Sequence, residues 1–356
     1  MRLALPLLLL MCGPLAGALP SRTQPAQTRP AQTQPAQVLL GGVRHEYQRL
    51  NNCGPVTLGM AMSYWGGRQN QYQIAPLLKP NKADKNVGPG ELASYAAKQD
   101  YAVHSGVAGT PALLKSLVAA GFPVIVETWF VTGEEGGMGH YRLINGYDDK
   151  AAEFRALDSF YGPRVRMSYT QLGKLWRGFG GTYLVVAPKN RQAKLNAVLG
   201  ERAVSGNEWR LALSTAERGT QTRPQDAFGW FNLGTAKLRL GDAKGAARAY
   251  DRARAAPVDR SLDPSRPARV VGGLPWRMSW YQFGMLEAYL RVGRSAEVVA
   301  MANAVLRDAP DHEEALYWRG RARAALGQTS AARTDYQAAL RFRPGFDRAA
   351  QALRQL

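Results

Sequence analysis

The sequence predicts an α+β domain followed by an all-α solenoid of helix pairs, and three observations carry that prediction. Residues 38–189 read as helices first and short strand-like runs afterwards. An almost wholly apolar helix with a cysteine at its first turn heads that region. From residue 193 the chain repeats every 34 residues. A helical half followed by a strand half argues α+β, and a fixed period of this size marks stacked supersecondary units.

Taken in order, residues 1–18 carry one cation (Arg2), an apolar run from Leu3 to Met11, and the small-residue stretch Ala16-Gly17-Ala18. This is the pattern of a secretory signal, too short for a stable spanning anchor. Leu9-Leu10-Met11-Cys12 is the competing reading, a lipoprotein box with Cys12 lipidated. Residues 19–37 read as an extended spacer, because Ser21–Gln37 holds three pentapeptides of the form Thr-x-Pro-Ala-Gln and no large apolar residue. The expected location is outside the cytoplasm, in periplasm, cell envelope or medium. Membrane contact is expected only through the signal segment or a lipid on Cys12. Once Cys12 leaves with the signal, Cys53 is the remaining cysteine. Exported chains use cysteines mainly in pairs, so an unpaired one points to a reactive thiol or an intermolecular bond.

Cys53 opens the run Cys53-Gly54-Pro55-Val56-Thr57-Leu58-Gly59-Met60-Ala61-Met62, closed by Gly66-Gly67. Pro55 suits a first turn, and the apolar residues fall on nearly all sides, as in a central buried helix. Backbone N–H groups and the helix dipole at this end favour a thiolate. Helical patterns follow at 71–78, 90–99 and 110–120. Short β-branched or aromatic runs separated by Gly, Asp and Pro come next, at 123–130, 141–145, 153–157 and 181–187.

A nucleophilic thiol needs a base, a group that orients the base, and a donor for the developing oxyanion. Of His45, His104, His140 and His312, His140 stands where Gly136-Gly137-Met138-Gly139 meets a strand. Asp158 ends the next strand, and a turn at Asp148-Asp149-Lys150 would pair the two strands and bring these residues together. Gln48, five residues before Cys53, is a candidate oxyanion donor, with Asn51 or Asn52 as alternatives.

Residues 48–66, the segment Asp84-Lys85-Asn86-Val87-Gly88-Pro89-Gly90-Glu91-Leu92, Gly121-Phe122-Pro123, Gly139-His140-Tyr141, Asn145-Gly146-Tyr147-Asp148 and Leu157-Asp158 occur in an order that resembles the papain-like cysteine peptidases related to the bacteriocin-processing (double-glycine leader) peptidase domain of export transporters. The resemblance covers about residues 44–187. It implies Cys53 as nucleophile, His140 as base, Asp158 as orienter and Gln48 as oxyanion donor. Gln48 stands one residue closer to its cysteine than in the papain pattern. No transporter accompanies the domain, so the leader-peptide substrate of the family does not follow.

The 34-residue period is that of tetratricopeptide repeats, with blocks at 193–226, 227–260, 279–312 and 313–346 and a closing helix at 347–356. Gly200, Gly234 and Gly320 recur at the eighth position and Ala212, Ala246 and Ala332 at the twentieth, where helix pairs touch. Residues 260–278, rich in Pro, Gly and Arg, form an insertion. Such arrays are binding platforms, and because each unit packs on its neighbours, residues 38–189 are expected to fold without them.

The formal charge of +19 is spread over both halves with no aromatic-interleaved basic run. It fits a solvated surface suited to anionic or acidic partners, with no nucleic acid expected. No spaced metal-ligand set, phosphate-cradling loop or nucleotide fingerprint is visible, so no cofactor or metal is expected. The reading that follows is an exported cysteine peptidase acting on a peptide or protein, with the array presenting substrate or partner. An inactive peptidase-like binding module and a thiol acyltransferase are the competing readings.

Overall fold

The computed structural model describes residues 34–133, 136–263 and 272–356. The signal segment, Cys12 and most of the spacer lie outside the described residues. The first region contains β1 (Gln37–Leu39), α1 (Cys53–Ser63), α2 (Gln71–Leu78), α3 (Pro89–Lys98), β2 (Tyr101–Gly106), α4 (Pro111–Ala119), β3 (Val124–Thr132), β4 (Gly136–Asp148), β5 (Glu153–Asp158), β6 (Gly162–Ser168), α5 (Tyr169–Trp176) and β7 (Tyr183–Pro188). The strands make one antiparallel sheet in the order β2-β7-β3-β4-β5-β6, with β1 paired to β4. Gln37, read as the end of the spacer, is therefore a sheet residue opposite Asp148. The Tyr147 hydroxyl also donates to the Pro35 carbonyl at 2.6 Å.

Helix starts follow local chemistry. Asn70 and Gln73 form a capping box at α2, and Glu91 reaches back to the Gly88 N–H while Pro89 fills the first turn of α3. Thr110 caps α4 before Pro111. Strand alternation then divides the core. Ile125, Leu143, Leu157, Leu184 and Val186 face α1–α3, and Val124, Val126, Ile144, Ala156 and Val185 face the opposite side with α4 and α5. Every residue from Gly54 to Met62 is buried, so α1 is a rigid mount between sheet and neighbouring helices.

The second region runs α6 (Gln192–Leu199), α7 (Asn207–Thr222), α8 (Ala227–Arg239), α9 (Ala243–Ala255), α10 (Met278–Tyr281), α11 (Gly284–Arg291), α12 (Ser295–Asp308), α13 (Glu313–Ala325), α14 (Thr329–Phe342) and α15 (Asp347–Arg354). Helices α8, α13 and α15 begin at the residues the repeat predicts. A Cβ at Gly234 would meet the Tyr250 ring at 2.9 Å, and one at Gly320 the Tyr336 ring at 2.6 Å. In these two blocks the small eighth residue is thus what lets the helix pair close.

Two blocks depart from the repeat. In the first, Leu195 and Leu199 of α6 bury against Leu114, Leu117 and Val118 of α4, so the helix completes the sheet's core instead of pairing with α7. In the third, the first helix breaks at Gln282, whose backbone is extended (φ −130°, ψ 106°). The break turns Tyr281 toward Phe179, and Gln282 Nε2 donates to the Gly178 carbonyl at 2.6 Å.

Pro35–Leu356 is one compact unit. The apolar core of the array continues through Trp129 and Phe179 of the first region, and Trp129 Nε1 donates to the Leu262 carbonyl at 2.9 Å. Glu208 of α7 accepts from Val107 N at 3.2 Å, Arg202 Nη1 at 2.8 Å and the Tyr183 hydroxyl. These shared contacts run against the expectation that residues 38–189 are self-sufficient.

Candidate active site

Asn51 turns the chain into α1 with φ +56°, a left-handed conformation that Asn tolerates, and Cys53 follows as the first helical residue, half-buried. Its thiol is hydrogen-bonded to the His140 ring and to the backbone N–H groups of Tyr141 and Gly54. Burial pushes the thiol up, but the bond to His140, the imidazolium charge and the two N–H groups outweigh it, so the net shift is down.

His140 sits in β4, with Thr128 of β3 opposite, and stacks on Phe130 with ring centroids 4.6 Å apart. Its Nε2 lies 2.9 Å from Asp158 Oδ1, which leaves Nδ1 for the thiol. Burial pushes the imidazole down, whereas the bonds to Asp158 and Cys53 pull it up, with a net rise. A lowered thiol beside a raised imidazole favours the thiolate–imidazolium pair.

Asp158 is fully buried. Burial alone would raise its pKa. The bond to His140, that ring's charge, the Arg142 guanidinium and the Phe160 N–H instead hold the carboxyl well below the usual carboxylate range. Arg142 Nε lies 2.8 Å from Oδ2 in an ion pair, and the N–H groups of Phe160 and Tyr161 donate to Oδ1 at 2.8 and 3.1 Å. Register explains the assembly. Arg142 pairs directly with Asp158 across β4 and β5, which puts His140, two residues earlier, on the diagonal.

Gln48 is held next to this network. Its Oε1 accepts from the Ser159 hydroxyl at 2.7 Å, and its N–H donates to the Ser159 carbonyl at 2.9 Å. That orientation leaves the amide Nε2 as the group able to donate elsewhere. Asn52 is occupied differently, its Nδ2 donating to Gln71 Oε1 at 3.0 Å. Of the other histidines, His45 meets the Asp158 carbonyl at 2.9 Å, His104 lies against Tyr183 and Glu208, and His312 is in the repeats.

Three site neighbours are absent from the sequence reading. Arg142 carried a signal, since it is two residues beyond His140 and so on the same strand face. Glu127 and Tyr281 carried none, because a strand neighbour and a broken repeat helix bring them in. The Tyr281 hydroxyl accepts from the Gly139 N–H, with Arg277, Cys53 and Glu127 as its ionisable neighbours. A Cβ on Gly139 would stand 3.1 Å from both Phe179 and Tyr281, so the residue before His140 has little room to be anything else. Both Glu127 and Tyr281 line a cavity of about 690 Å³ between the sheet and the inner face of the array, with Trp176, Trp209, Phe283 and Trp318 among its walls.

Burial, with Cys53 beside it, pushes Glu127 up to about 8. A carboxyl with a raised folded pKa keeps its proton when folded and loses it when unfolded, so stability falls as pH rises from about 4.5 toward 8. The Glu127→Gln variant should therefore melt with the wild type near pH 5 and above it at pH 9. Parallel shifts at both pH values would show that Glu127 is not the buried titrating group.

The mixed fold and the thiol–imidazole–carboxylate chain define the papain-like class of cysteine peptidase folds. Residues 31–184 match the Peptidase_C39 like family, and residues 198–260 and 283–347 match the Tetratricopeptide repeat. The chain carries a Peptidase_C39-like domain followed by tetratricopeptide repeats. None of the curated proteins matches it. Among solved structures, a C39-like peptidase from Bacillus anthracis is 18% identical, with 43% of this chain and 98% of that one covered and a TM-score of 0.35. The peptidase domain of Streptococcus ComA, a bifunctional ABC transporter involved in a quorum-sensing pathway, is 17% identical over 42% and 100%, at 0.34. MamA 41-end from Desulfovibrio magneticus RS-1 is 20% identical over 45% and 81%, at 0.33.

Proposed function

We propose that the protein is an exported cysteine peptidase whose repeat array forms one wall of the substrate cleft. The observation that carries this reading is the continuous chain from the Cys53 thiol through His140 to Asp158, closed by the 2.9 Å contact at Nε2. The Cys53 thiolate attacks the scissile carbonyl carbon and forms a C–S bond. The carbonyl oxygen becomes an oxyanion, with Gln48 Nε2 and the Cys53 N–H as donors. Imidazolium passes its proton to the leaving amine as the C–N bond breaks. His140 then takes a proton from water, whose oxygen displaces Cys53 from the thioester and releases a carboxylate. Asp158 fixes the ring tautomer and stabilises the imidazolium throughout.

The array and the sheet enclose the aromatic cavity, whose lining includes Glu127 and Tyr281 beside Cys53 but not Cys53, His140, Asp158 or Gln48 themselves, and this adjacency is what supports a substrate-holding role. An extended peptide with aromatic or aliphatic side chains suits that lining. Export rests on the N-terminal segment and on Cys53 as the one free thiol among the described residues.

The test incubates the full-length protein and Cys53→Ala with a peptide library and identifies products by mass spectrometry. Cleavage by the parent alone supports the reading. Transfer of the acyl group to added amines in place of water would establish the acyltransferase instead. No turnover, together with iodoacetamide alkylation of Cys53 no faster than in the unfolded chain, would leave a binding module.

A further inference from the structure

A second cluster of ionisable groups lies where the array meets the first region. His312 caps α13, and Glu313 and Glu314 are its first two residues, with 4%, 1% and 3% of their surfaces exposed. Asp84 and Glu91 come from the other side and add their negative charge to both glutamates. Four carboxylates therefore converge on two cations. Arg343 pairs with Glu91 and reaches Glu314 Oε1 at 3.3 Å and Glu313 Oε1 at 3.9 Å. Lys79 is committed to the carbonyls of Leu50, Asn51 and Asp84.

The helix N-terminus and Arg343 do not account for every polar atom here. Glu313 Oε2 and Glu314 Oε2 are buried with no hydrogen-bond partner of ordinary geometry, and the Glu313 carboxyl is otherwise met by the carboxyl of Asp84, one acid against another. His312 Nε2 lies 3.0 Å from the Trp280 carbonyl, an acceptor, so Nε2 carries the ring proton. Nδ1 then presents its lone pair toward Glu314 Oε2 at 3.4 Å, aided only by the Ala315 N–H at 3.5 Å. Two buried acceptors facing each other without a donor between them are unfavourable unless a positive charge joins them. One ligand atom from each of His312, Glu313 and Glu314 lies within 4.8 Å of the others, close enough to share one ion at ordinary metal–ligand lengths of about 2.0–2.3 Å. The sequence concealed this set because the three residues are consecutive and its remaining charge comes from Asp84 and Glu91.

We propose that His312, Glu313 and Glu314 bind one divalent cation of the manganese or zinc class at the boundary of the repeat array, where its charge also offsets Asp84 and Glu91 of the peptidase-like domain. Imidazole with two carboxylates suits these ions better than calcium or magnesium, which prefer oxygen alone. Lys79 connects the cluster to the Leu50–Asn51 turn that leads into Cys53, so the ion sits behind the loop that positions the thiol.

The full-length protein, stripped with chelator and dialysed, is titrated with Mn²⁺ and with Zn²⁺ while free ion and melting temperature are followed. One ion per chain and a melting temperature raised by several degrees are expected. Glu314→Gln should weaken binding at least tenfold, and His312→Asn, which keeps a capping side chain, should do the same. Without metal, Glu314→Gln should melt above the wild type, because it removes the repulsion, and this order should reverse with metal. Binding unaffected by either substitution would overturn the proposal. So would a melting temperature indifferent to both ions, the result expected if a shared proton alone joins His312 to Glu314.

Discussion

Replacing His140 with alanine should lower kcat/KM by about 10⁴-fold or more, because the ring is both the partner that keeps Cys53 ionised and the acid that protonates the leaving amine. A second readout separates this from misfolding. Alkylation of Cys53 by iodoacetamide should begin at a lower pH in the parent than in the variant, where the thiol loses its bond to the ring and titrates nearer the free value of about 8.5. Unchanged turnover would remove His140 from the mechanism. Asp158→Asn is less clean than the sequence implies. Asp158 also neutralises buried Arg142 at 2.8 Å and anchors the turn through Phe160 and Tyr161. Breaking one side of a buried ion pair costs about 3–5 kcal/mol, so loss of activity in that variant has to be read beside its melting temperature.

Much of this arrangement was legible where local chemistry decides it. Asn70 and Thr110 mark helix starts by capping and Pro89 by filling a first turn, and the 34-residue period points to Ala227, Glu313 and Asp347 as helix starts. Pairing of His140 with Asp158 followed from two strands and a short turn, since an antiparallel hairpin has little freedom of register. What stayed hidden depends on contacts across the fold. Strands β1, β2 and β6 are only partly apolar, so their pairing comes from the sheet and not from alternation. The period also continued through Ser279 as if helix and repeat were the same thing. Gln282 breaks there because Gly178 and Phe179 offer the chain a better partner than its own helix. Tyr281 owes its place beside Cys53 to that break, and no spacing in one sequence encodes it.

Cutting the chain after residue 191 should give a fragment that aggregates or melts far below the full-length protein. Stacked repeats contact only their neighbours, which by itself would make the two halves separable. Here the neighbour of the first repeats is the sheet. Trp129 and Phe179 share a core with Phe228, Phe231 and Leu262, and truncation would leave these two aromatics in water as part of an exposed apolar patch. It would also remove α6, whose Leu195 and Leu199 close the core over α4, and Glu208, which holds Tyr183, Val107 and Arg202 together. Within the intact chain, Trp129→Ala isolates one part of this loss and should cost about 3–5 kcal/mol, as for other buried Trp truncations. Comparing the fragment, the intact chain and Trp129→Ala by thermal melting and by cleavage of a small peptide decides the matter. A fragment that melts with the parent and cleaves the peptide equally well would show that the array merely docks on a self-sufficient enzyme. A fragment that unfolds would show that the solenoid is structurally part of the domain it covers, so that the wall of the aromatic cavity and the stability of the Cys53 site are set by the same contacts.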